Sequence, residues 1–316
     1  MNLHDDQEVF AELIAVTAET IGLPQVYIEK DYWVTNALKN LAMSEYKDQV
    51  VFKGGTSLSK AYRLIDRFSE DIDLAVFAKG FGDAKRKRLI KNIEDAVTKG
   101  LSNRPEDVRE SKGSKFRKTI YQYPRSVGSE EFGQASPELL VEISSFTNPE
   151  PFKSRELRTL IAEALEQKGL SDLIIKYGLE GFSVNVLSVR RTLVEKLLGV
   201  IKDSYDADPA GRLSDRIRHL YDICQILTHD EYREFVLSDD FELMCDLCIE
   251  DERAGAFRGI EHLEKPLAEA PLFSDFDKWR SSLDAAYTTT FSALVYGDLP
   301  ALNRIEESLA FVRKRL

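Results

Sequence analysis

Cysteine, histidine and long apolar runs are all scarce in this sequence of 316 residues. Its three cysteines, Cys224, Cys245 and Cys248, are too few for a disulfide framework and are typical of a reducing compartment. Its four histidines show no metal-ligand spacing, so we interpret the C-x-x-C of Cys245 and Cys248 as two buried helical thiols rather than a zinc or redox motif. No apolar run approaches the ~18 residues of a membrane span, and the first residues lack the basic start of a secretory signal. We therefore expect a cytoplasmic protein with no membrane partner.

Positive charge is also in deficit. The chain has 43 Lys and Arg against 54 Asp and Glu, which gives a net charge of −11. Spread evenly, this charge would repel nucleic acid, because phosphate binding depends on Lys and Arg. A hydrophobic content of 43% nevertheless provides enough apolar surface for a folded core.

The hydrophobic periodicity predicts an α+β fold. Helices are expected over 5–21 and from residue 24 to about 41, followed by a strand over 49–53, a Gly-Gly turn, a helix over 56–65, a strand over 71–77 and a basic helix over 83–100. Strands over 115–123 and 138–146 flank a loop at 124–137. Beyond residue 150 we expect helices over 153–168, 189–202, 214–228, 230–237, 239–254, 274–290 and 298–314, with one short strand at 182–186. The prediction is a mixed sheet with flanking helices in a domain spanning 1–150, followed by a mainly helical domain spanning 151–316.

Two aspartates in the 71–77 strand are the first candidate site residues. Side chains alternate along a strand, so Asp71 and Asp73 are expected on one face, side by side. Like charges at that separation favour a divalent cation between them, and hard oxygen ligands select Mg²⁺, or Mn²⁺, with a substrate phosphate completing the shell. The alternative is an ordinary D-x-D on an edge strand.

A glycine turn precedes the aspartates and is suited to a phosphate. Gly54 and Gly55 allow the backbone to approach an anion, and the following helix directs free N–H groups towards it. Thr56, Ser57 and Lys60 add hydroxyls and a cation. A phosphate site next to paired carboxylates is what nucleotidyl transfer from an NTP requires, although Gly-Gly-Thr alone is also a common tight turn.

A third carboxylate commonly completes such a metal site. Glu142 lies in the strand LLVEISSF between Val141 and Ile143 and is the best-placed candidate. The alternative is an ordinary solvent-facing strand residue.

Four separated motifs resemble one protein family. They are YIEKDYWVTNAL (27–38), FKGGTSLSKAYRLIDRFSEDIDL (52–74), TLVEKLLG (192–199) and RHLYDICQIL (218–227). In this order they resemble the AbiEii/AbiGii toxins, bacterial nucleotidyltransferases of the DNA-polymerase-β-like superfamily that act in toxin–antitoxin and phage abortive-infection systems. The resemblance implies a bacterial, Mg²⁺-dependent enzyme that uses an NTP and is opposed by a cognate antitoxin, either winged-helix or kinase-like. It further implies either addition of nucleotides to the 3′ end of tRNA, and hence inhibition of translation, or binding of GTP.

The resemblance also assigns residues. It implies a phosphate-binding turn and metal carboxylates at the positions already singled out, and adds a serine that kinase-type antitoxins phosphorylate, whose phosphate would block NTP binding. It also implies that a lysine and an aspartate of the helical domain contribute to the site. The matching positions are Gly54, Gly55, Ser57, Ser69, Asp71, Asp73, Lys196 and Asp222.

For the candidate residues outside the sheet, the sequence allows two interpretations each. Lys196, in an apolar helix, is either an NTP contact or a lysine at the edge of a core helix. Asp222 is either an active-site carboxylate that orients Lys196 or accepts a proton, or the partner of Arg218 in an i,i+4 ion pair. Arg67, like Arg63, is either a triphosphate contact or a solvated charge.

The negative charge is unevenly distributed. Residues 79–125 contain 14 Lys or Arg and 6 acids, a net charge of +8 that leaves −19 elsewhere. We interpret this stretch as an RNA-binding surface beside the metal site, or as a solvated helix face. The acidic remainder fits solubility or docking of a basic antitoxin. A tRNA or other RNA acceptor is therefore expected, and the alternatives are a protein or small-molecule acceptor, or a catalytically idle nucleotide-binding module.

Overall fold

The computed structural model describes residues 1–104, 107–128, 136–255 and 261–316. The described chain forms two compact units, the first made of Met1–Ala61 and Phe68–Val186, the second of Tyr62–Arg67 and Leu187–Leu316. The main boundary between the units therefore falls after residue 186, whereas the sequence analysis places the domain boundary after residue 150. Half of the loop expected at 124–137, residues 129–135, lies outside the described residues.

The first unit contains a mixed sheet with helices. Its elements are, in chain order, α1 (Gln7–Ile21), α2 (Gln25–Ala42), β1 (Val50–Lys53), α3 (Gly54–Lys60), β2 (Ile72–Val76), α4 (Asp83–Val97), β3 (Ser102–Asn103), β4 (Ser111–Lys112), β5 (Phe116–Gln122), β6 (Leu139–Ser144), β7 (Phe152–Leu157), α5 (Leu160–Gln167), α6 (Ser171–Lys176) and β8 (Phe182–Leu187). The strand order is β3-β5-β6-β2-β1-β8-β7, with β4 paired to β5. Strand β2 is antiparallel to β1 and parallel to β6, so the sheet is mixed as predicted.

The second unit is helical in its described part. Its helices are α7 (Val189–Asp203), α8 (Pro209–Asp215), α9 (Ile217–Ile226), α10 (Asp230–Leu237), α11 (Asp239–Gly255), α12 (Pro271–Ser274), α13 (Phe276–Ala285) and α14 (Leu302–Arg313), and a π-helical segment, Ala286–Phe291, follows α13. The prediction of a helical C-terminal half is therefore confirmed. The C-x-x-C lies on α11 with both thiols buried, as expected, and burial raises the pKa of each to about 12.

Two predicted helices differ most from the structure, which also contains short elements that were not predicted: β3, β4, α6, α8 and α12. The helix expected over 153–168 is instead β7 followed by α5, which begins where the Thr159 hydroxyl caps the N–H of Ala162. The edge strand β7 is exposed along most of its length, so it lacks the apolar alternation that identifies a strand. The helix expected over 56–65 begins at Gly54 and ends at Lys60; three residues later Arg63 has a φ of 53°, which a helix cannot accommodate.

The described helices were also compared with the requirements of a membrane span. None is long and apolar enough on its own to cross a membrane, and only α1 and α2 counted together, across a bend of 111°, satisfy the criteria of length and composition.

The two faces of the sheet have different surroundings. Arg117 of β5 points to the face covered by α4, where its Nε donates to a carboxylate oxygen of Glu94. The next residue, Lys118, points to the opposite face, because side chains alternate along a strand. Register places Lys118 beside Glu142 and Glu142 beside Asp73. The predicted site carboxylates therefore lie on the face opposite α4.

Candidate active site

Gly54 and Asp73 form the tightest contact of the predicted site. Gly54 begins α3 directly after β1 and has a φ of 77°, a conformation that favours glycine. A Cβ atom on Gly54 would lie 2.0 Å from Oδ2 of Asp73, so only glycine leaves room for this carboxylate. The glycine turn and one predicted metal carboxylate are thus in direct van der Waals contact.

A row of charged side chains crosses the sheet at this point. Lys53 pairs with Asp73 across β1 and β2, and Asp73 with Glu142 across β2 and β6. Glu142 in turn pairs with Lys118 of β5, whose Nζ lies 2.8 Å from Oε1 of Glu142. Two adjacent carboxylates thus have a lysine on each side.

The donor set suits a magnesium ion completed by substrate. Asp73 is the second residue of β2 and Asp71 directly precedes the strand, so both supply hard carboxylate oxygens. Mg²⁺ is usually held by one or two carboxylates plus substrate phosphates. Across the described ranges, no group of three or more His, Cys, Asp or Glu side chains is arranged to hold a metal. Glu142 stays a predicted ligand whose Oε1 contacts Lys118, and metal binding there would compete with that ion pair.

The hydroxyls and the lysine of the glycine turn have defined partners. Ser57 Oγ donates to the carbonyl of Gly54 at 2.8 Å and so stabilises the turn from within. The hydroxyls of Thr56 and Ser69 lie 2.9 Å apart, which joins α3 to the segment that leads into Asp71. Lys60, predicted to bind nucleotide, forms an ion pair with Asp31 of α2. Gly55, the remaining predicted member, is the second residue of α3.

A second cluster lies within the second unit. Asp222 of α9 is fully buried and accepts two hydrogen bonds from Arg67, each 2.7 Å long, through Nε and Nη2. Lys196 of α7 adds its Nζ at 2.8 Å from Oδ2. Burial opposes ionisation of Asp222, but the charges of Arg67 and Lys196 outweigh it and hold the pKa of this carboxyl well below its usual range.

Two sequence expectations about this cluster are wrong. Arg67 is not a solvated charge, because it is only 2% exposed. Among the described residues, Asp222 pairs with Arg67 and Lys196 and not with Arg218 one turn earlier. The structure does bring Lys196 and Asp222 together as predicted, and their catalytic role stays a prediction.

The basic helix is not on the carboxylate face. Helix α4 carries Lys85, Lys87 and Arg88, which are exposed, but it packs on the face of the sheet that holds Arg117. The expectation of a basic surface directly beside the metal site is therefore wrong for α4. It holds for Lys118, which shares the face of the carboxylates.

Two buried ion pairs of the first unit were not recognised in the sequence. Lys30 pairs with Glu70 at 2.6 Å, and Asp31 pairs with Lys60. A polar run within an otherwise apolar helix, Glu-Lys-Asp in YIEKDYW, was the available signal. Such a run indicates buried charges that need partners, but it does not identify those partners.

Comparison with known proteins places these features in a family. The sequence model of the nucleotidyl transferase AbiEii toxin, type IV toxin–antitoxin system, matches residues 36–307. Among solved structures, the chain is similar to MenT4, a nucleotidyltransferase toxin from Mycobacterium tuberculosis H37Rv, at 18% identity and a TM-score of 0.44, covering 96% of this chain and 98% of that one. No curated protein matches. On the family match, which covers most of the chain and includes the glycine turn and the paired carboxylates, the protein belongs to the AbiEii family of nucleotidyltransferase toxins.

Proposed function

We propose that this toxin transfers a nucleotide from an NTP, with Mg²⁺, to an RNA hydroxyl, specifically the 3′ acceptor end of tRNA, and thereby inhibits translation. The observation that carries the proposal is the contact between Gly54 and Asp73, which joins a phosphate-type turn to a metal-type carboxylate. A nucleotidyltransferase needs these two functions at one place, because a bound Mg²⁺ would neutralise the charge of the phosphates that the turn would hold.

The residues of the first unit have distinct roles in this reaction. Asp71 and Asp73 would hold Mg²⁺, which neutralises the charge that develops on the phosphates during transfer. The backbone of Gly54 and Gly55 binds the NTP phosphates, since neither residue has a side chain to keep an anion away. The internal hydrogen bond of Ser57 keeps this turn in shape before the nucleotide arrives.

Lys196 and Asp222 are proposed to act as a unit. The carboxylate keeps the ammonium charged and directed, and Arg67 fixes the carboxylate by two hydrogen bonds. Lys196→Met is expected to lower kcat while Asp222 stays paired with Arg67, so the variant keeps its fold. A variant that folds with an unchanged kcat would refute the catalytic role of Lys196.

The RNA acceptor is proposed to approach the carboxylate face of the sheet. Lys118 and Lys53 flank the carboxylates on that face and would contact phosphates of the acceptor end. Helix α4, on the other face, is better suited to remote contacts with the RNA body. Lys118→Met should therefore weaken RNA binding and make it less dependent on salt.

The acceptor is identified by an incorporation experiment. The protein is incubated with Mg²⁺ and each α-labelled NTP in turn, together with total RNA, protein or metabolites. Label in the tRNA fraction supports the proposal, whereas label only in protein or in small molecules would replace the RNA acceptor. Asp71→Ala and Asp73→Ala should abolish incorporation and toxicity, and the exposed Asp172→Ala in the same unit should not. Toxicity that survives both active-site substitutions would indicate an idle nucleotide-binding module.

A type IV toxin has a cognate antitoxin, and its type is part of the proposal. A kinase-like antitoxin would act on Ser69, whose hydroxyl lies next to that of Thr56 and two residues before Asp71. A phosphate there would repel NTP from the metal carboxylates. Ser69→Asp should then abolish incorporation, whereas Ser69→Ala should keep it and escape the antitoxin. If Ser69→Ala remains sensitive, a winged-helix antitoxin that represses expression is the better candidate.

A further inference from the structure

Two adjacent buried residues of α2 have opposite charges, and the proposed chemistry does not use them. Lys30 is 0% exposed and Asp31 is 7% exposed, and each has a partner of opposite charge in the first unit, the buried Glu70 for Lys30 and the part-buried Lys60 for Asp31. Both residues lie in YIEKDYWVTNAL (27–38), one of the four motifs that carry the family resemblance. Buried charges are costly unless they are paired, so these two positions call for an explanation beyond packing.

Lys30 is bound to the segment before the metal carboxylates. Its Nζ donates to Oε2 of Glu70 at 2.6 Å and to the carbonyls of Ser136 and Glu138, which uses all three donors of the ammonium. The other oxygen of Glu70 accepts from the N–H of Ser136 at 2.9 Å. Glu70 directly precedes Asp71, so Lys30 fixes the residue next to a predicted metal ligand.

Asp31 is bound to the other end of the site. One of its oxygens pairs with the ammonium of Lys60, and the other accepts from the N–H of Leu160 at 2.8 Å. Lys60 is the last residue of α3, the short helix that starts at Gly54. Asp31 thus fixes the C-terminal end of the helix whose first residue contacts Asp73.

The Lys30 to Glu70 pair is buried on both sides, with Lys30 0% and Glu70 7% exposed. Replacing a buried ion pair with apolar residues often leaves stability unchanged, which means that stability alone does not account for such pairs.

We propose that Lys30 and Asp31 are positioning residues of the nucleotide site. Lys30 acts through Glu70 to set the position of Asp71, and Asp31 acts through Lys60 to set the position of the glycine turn. The two adjacent residues hold both halves of the site to one rigid helix, α2. This inference rests on the proposed function, because it assigns the pairs to NTP and Mg²⁺ binding rather than to the fold in general.

A kinetic test distinguishes the effect of Lys30 on the metal carboxylates from the effect of Asp31 on the glycine turn. Lys30→Met should raise the Mg²⁺ concentration for half-maximal incorporation by at least tenfold, with a smaller change in the KM for NTP, because it disturbs the carboxylate side. Asp31→Asn should raise the KM for NTP by at least tenfold, with a smaller change in Mg²⁺ dependence. Lys39→Met is the matched control: Lys39 is on the same helix, but its ammonium contacts the carbonyl of Gly178 and no site residue. It should leave both values unchanged.

A second measurement does not depend on catalysis. Amide hydrogen exchange of the free protein should become at least tenfold faster in 68–76 for Lys30→Met, and in 54–61 for Asp31→Asn, while exchange in α14 of the second unit stays unchanged. Glu70→Gln breaks the same pair from the other side, keeps the contact with Ser136, and serves if Lys30→Met does not fold. It should reproduce the faster exchange in 68–76.

The outcomes distinguish this inference from the proposed function. If the wild type incorporates no nucleotide into any acceptor, the proposed function fails, and the exchange experiment still decides whether the pairs fix the two segments. Unchanged exchange in 54–61 and 68–76 overturns the positioning role whatever the activity. If Lys30→Met and Asp31→Asn each changed the Mg²⁺ dependence and the KM for NTP equally, the positioning role would also be overturned. A general loss of packing would affect both quantities alike.

Discussion

Substitution of Gly54 by alanine is the most direct test of the site geometry. The new Cβ would lie 2.0 Å from Oδ2 of Asp73, whereas Cβ contacts essentially never fall below 3.0 Å, so the carboxylate must move by about 1 Å or more. A displacement of about 1 Å at a catalytic group lowers the rate by roughly 100-fold. The φ of 77° adds about 1 kcal/mol of backbone strain. We expect a loss of at least 100-fold in kcat with a folded protein.

Gly22 provides a matched control for this substitution. It has a φ of 78° at the end of α1, and a Cβ there would meet nothing within 4 Å. Gly22→Ala therefore carries the same backbone strain without any displacement of Asp73. Both variants should show a similar loss of stability in thermal unfolding, and only Gly54→Ala should lose incorporation of labelled nucleotide. Near wild-type incorporation by Gly54→Ala would show that the position of Asp73 does not limit the reaction.

Other expectations concern the second unit. Asp222→Asn removes the buried carboxylate charge that Arg67 and Lys196 share and should destabilise this unit by about 3–5 kcal/mol. The exposed Asp215→Asn should change the stability by no more than about 0.5 kcal/mol. Urea unfolding of a variant whose only tryptophan is Trp279 measures both. The pKa of Asp222 is lowered on folding, so its contribution to the free energy of unfolding is complete above the ordinary carboxyl pKa of about 3.9 and is lost as the pH falls below it. The stability of Asp222→Asn should therefore fall less steeply with decreasing pH than that of the wild type. The thiols of Cys245 and Cys248, with pKa values raised to about 12, should resist alkylation at pH 8 until urea unfolds the chain, and rapid labelling of the native protein would contradict their burial.

Local patterns in the sequence predict most of the sheet that carries the site. The strands around Asp73 and Glu142 have strong apolar alternation or central burial, and both were located to within a few residues. The family motifs then gave the toxin nucleotidyltransferase identity. Strand β7 was missed because an exposed edge strand is specified by pairing with its neighbour, and this pairing is not visible in its own residues.

Long-range ion pairs could not be predicted in the same way. Arg67 and Asp222 are separated by 155 positions, and Lys30 and Glu70 by 40. A charged residue in an apolar helix indicates that it needs a partner, but the identity of the partner depends on how distant segments pack. The sequence analysis also did not predict that α4 covers the face of the sheet opposite the carboxylates. A run of basic residues in a helix does not indicate which face of a sheet the helix covers.

The short segment Tyr62–Arg67 limits which recombinants between this protein and its relatives can fold. It belongs to the second unit although the first unit continues on both sides of it, and it is held there by the Arg67 to Asp222 pair and by the N–H of Tyr296, which donates to the carbonyl of Asp66 at 2.9 Å. A recombination event that replaced the chain after residue 186 would supply new helices but keep the old six-residue insert. A hybrid that takes its C-terminal half from a relative should therefore fold only if residues 62–67 come from the same relative. We expect this of natural and engineered hybrids alike.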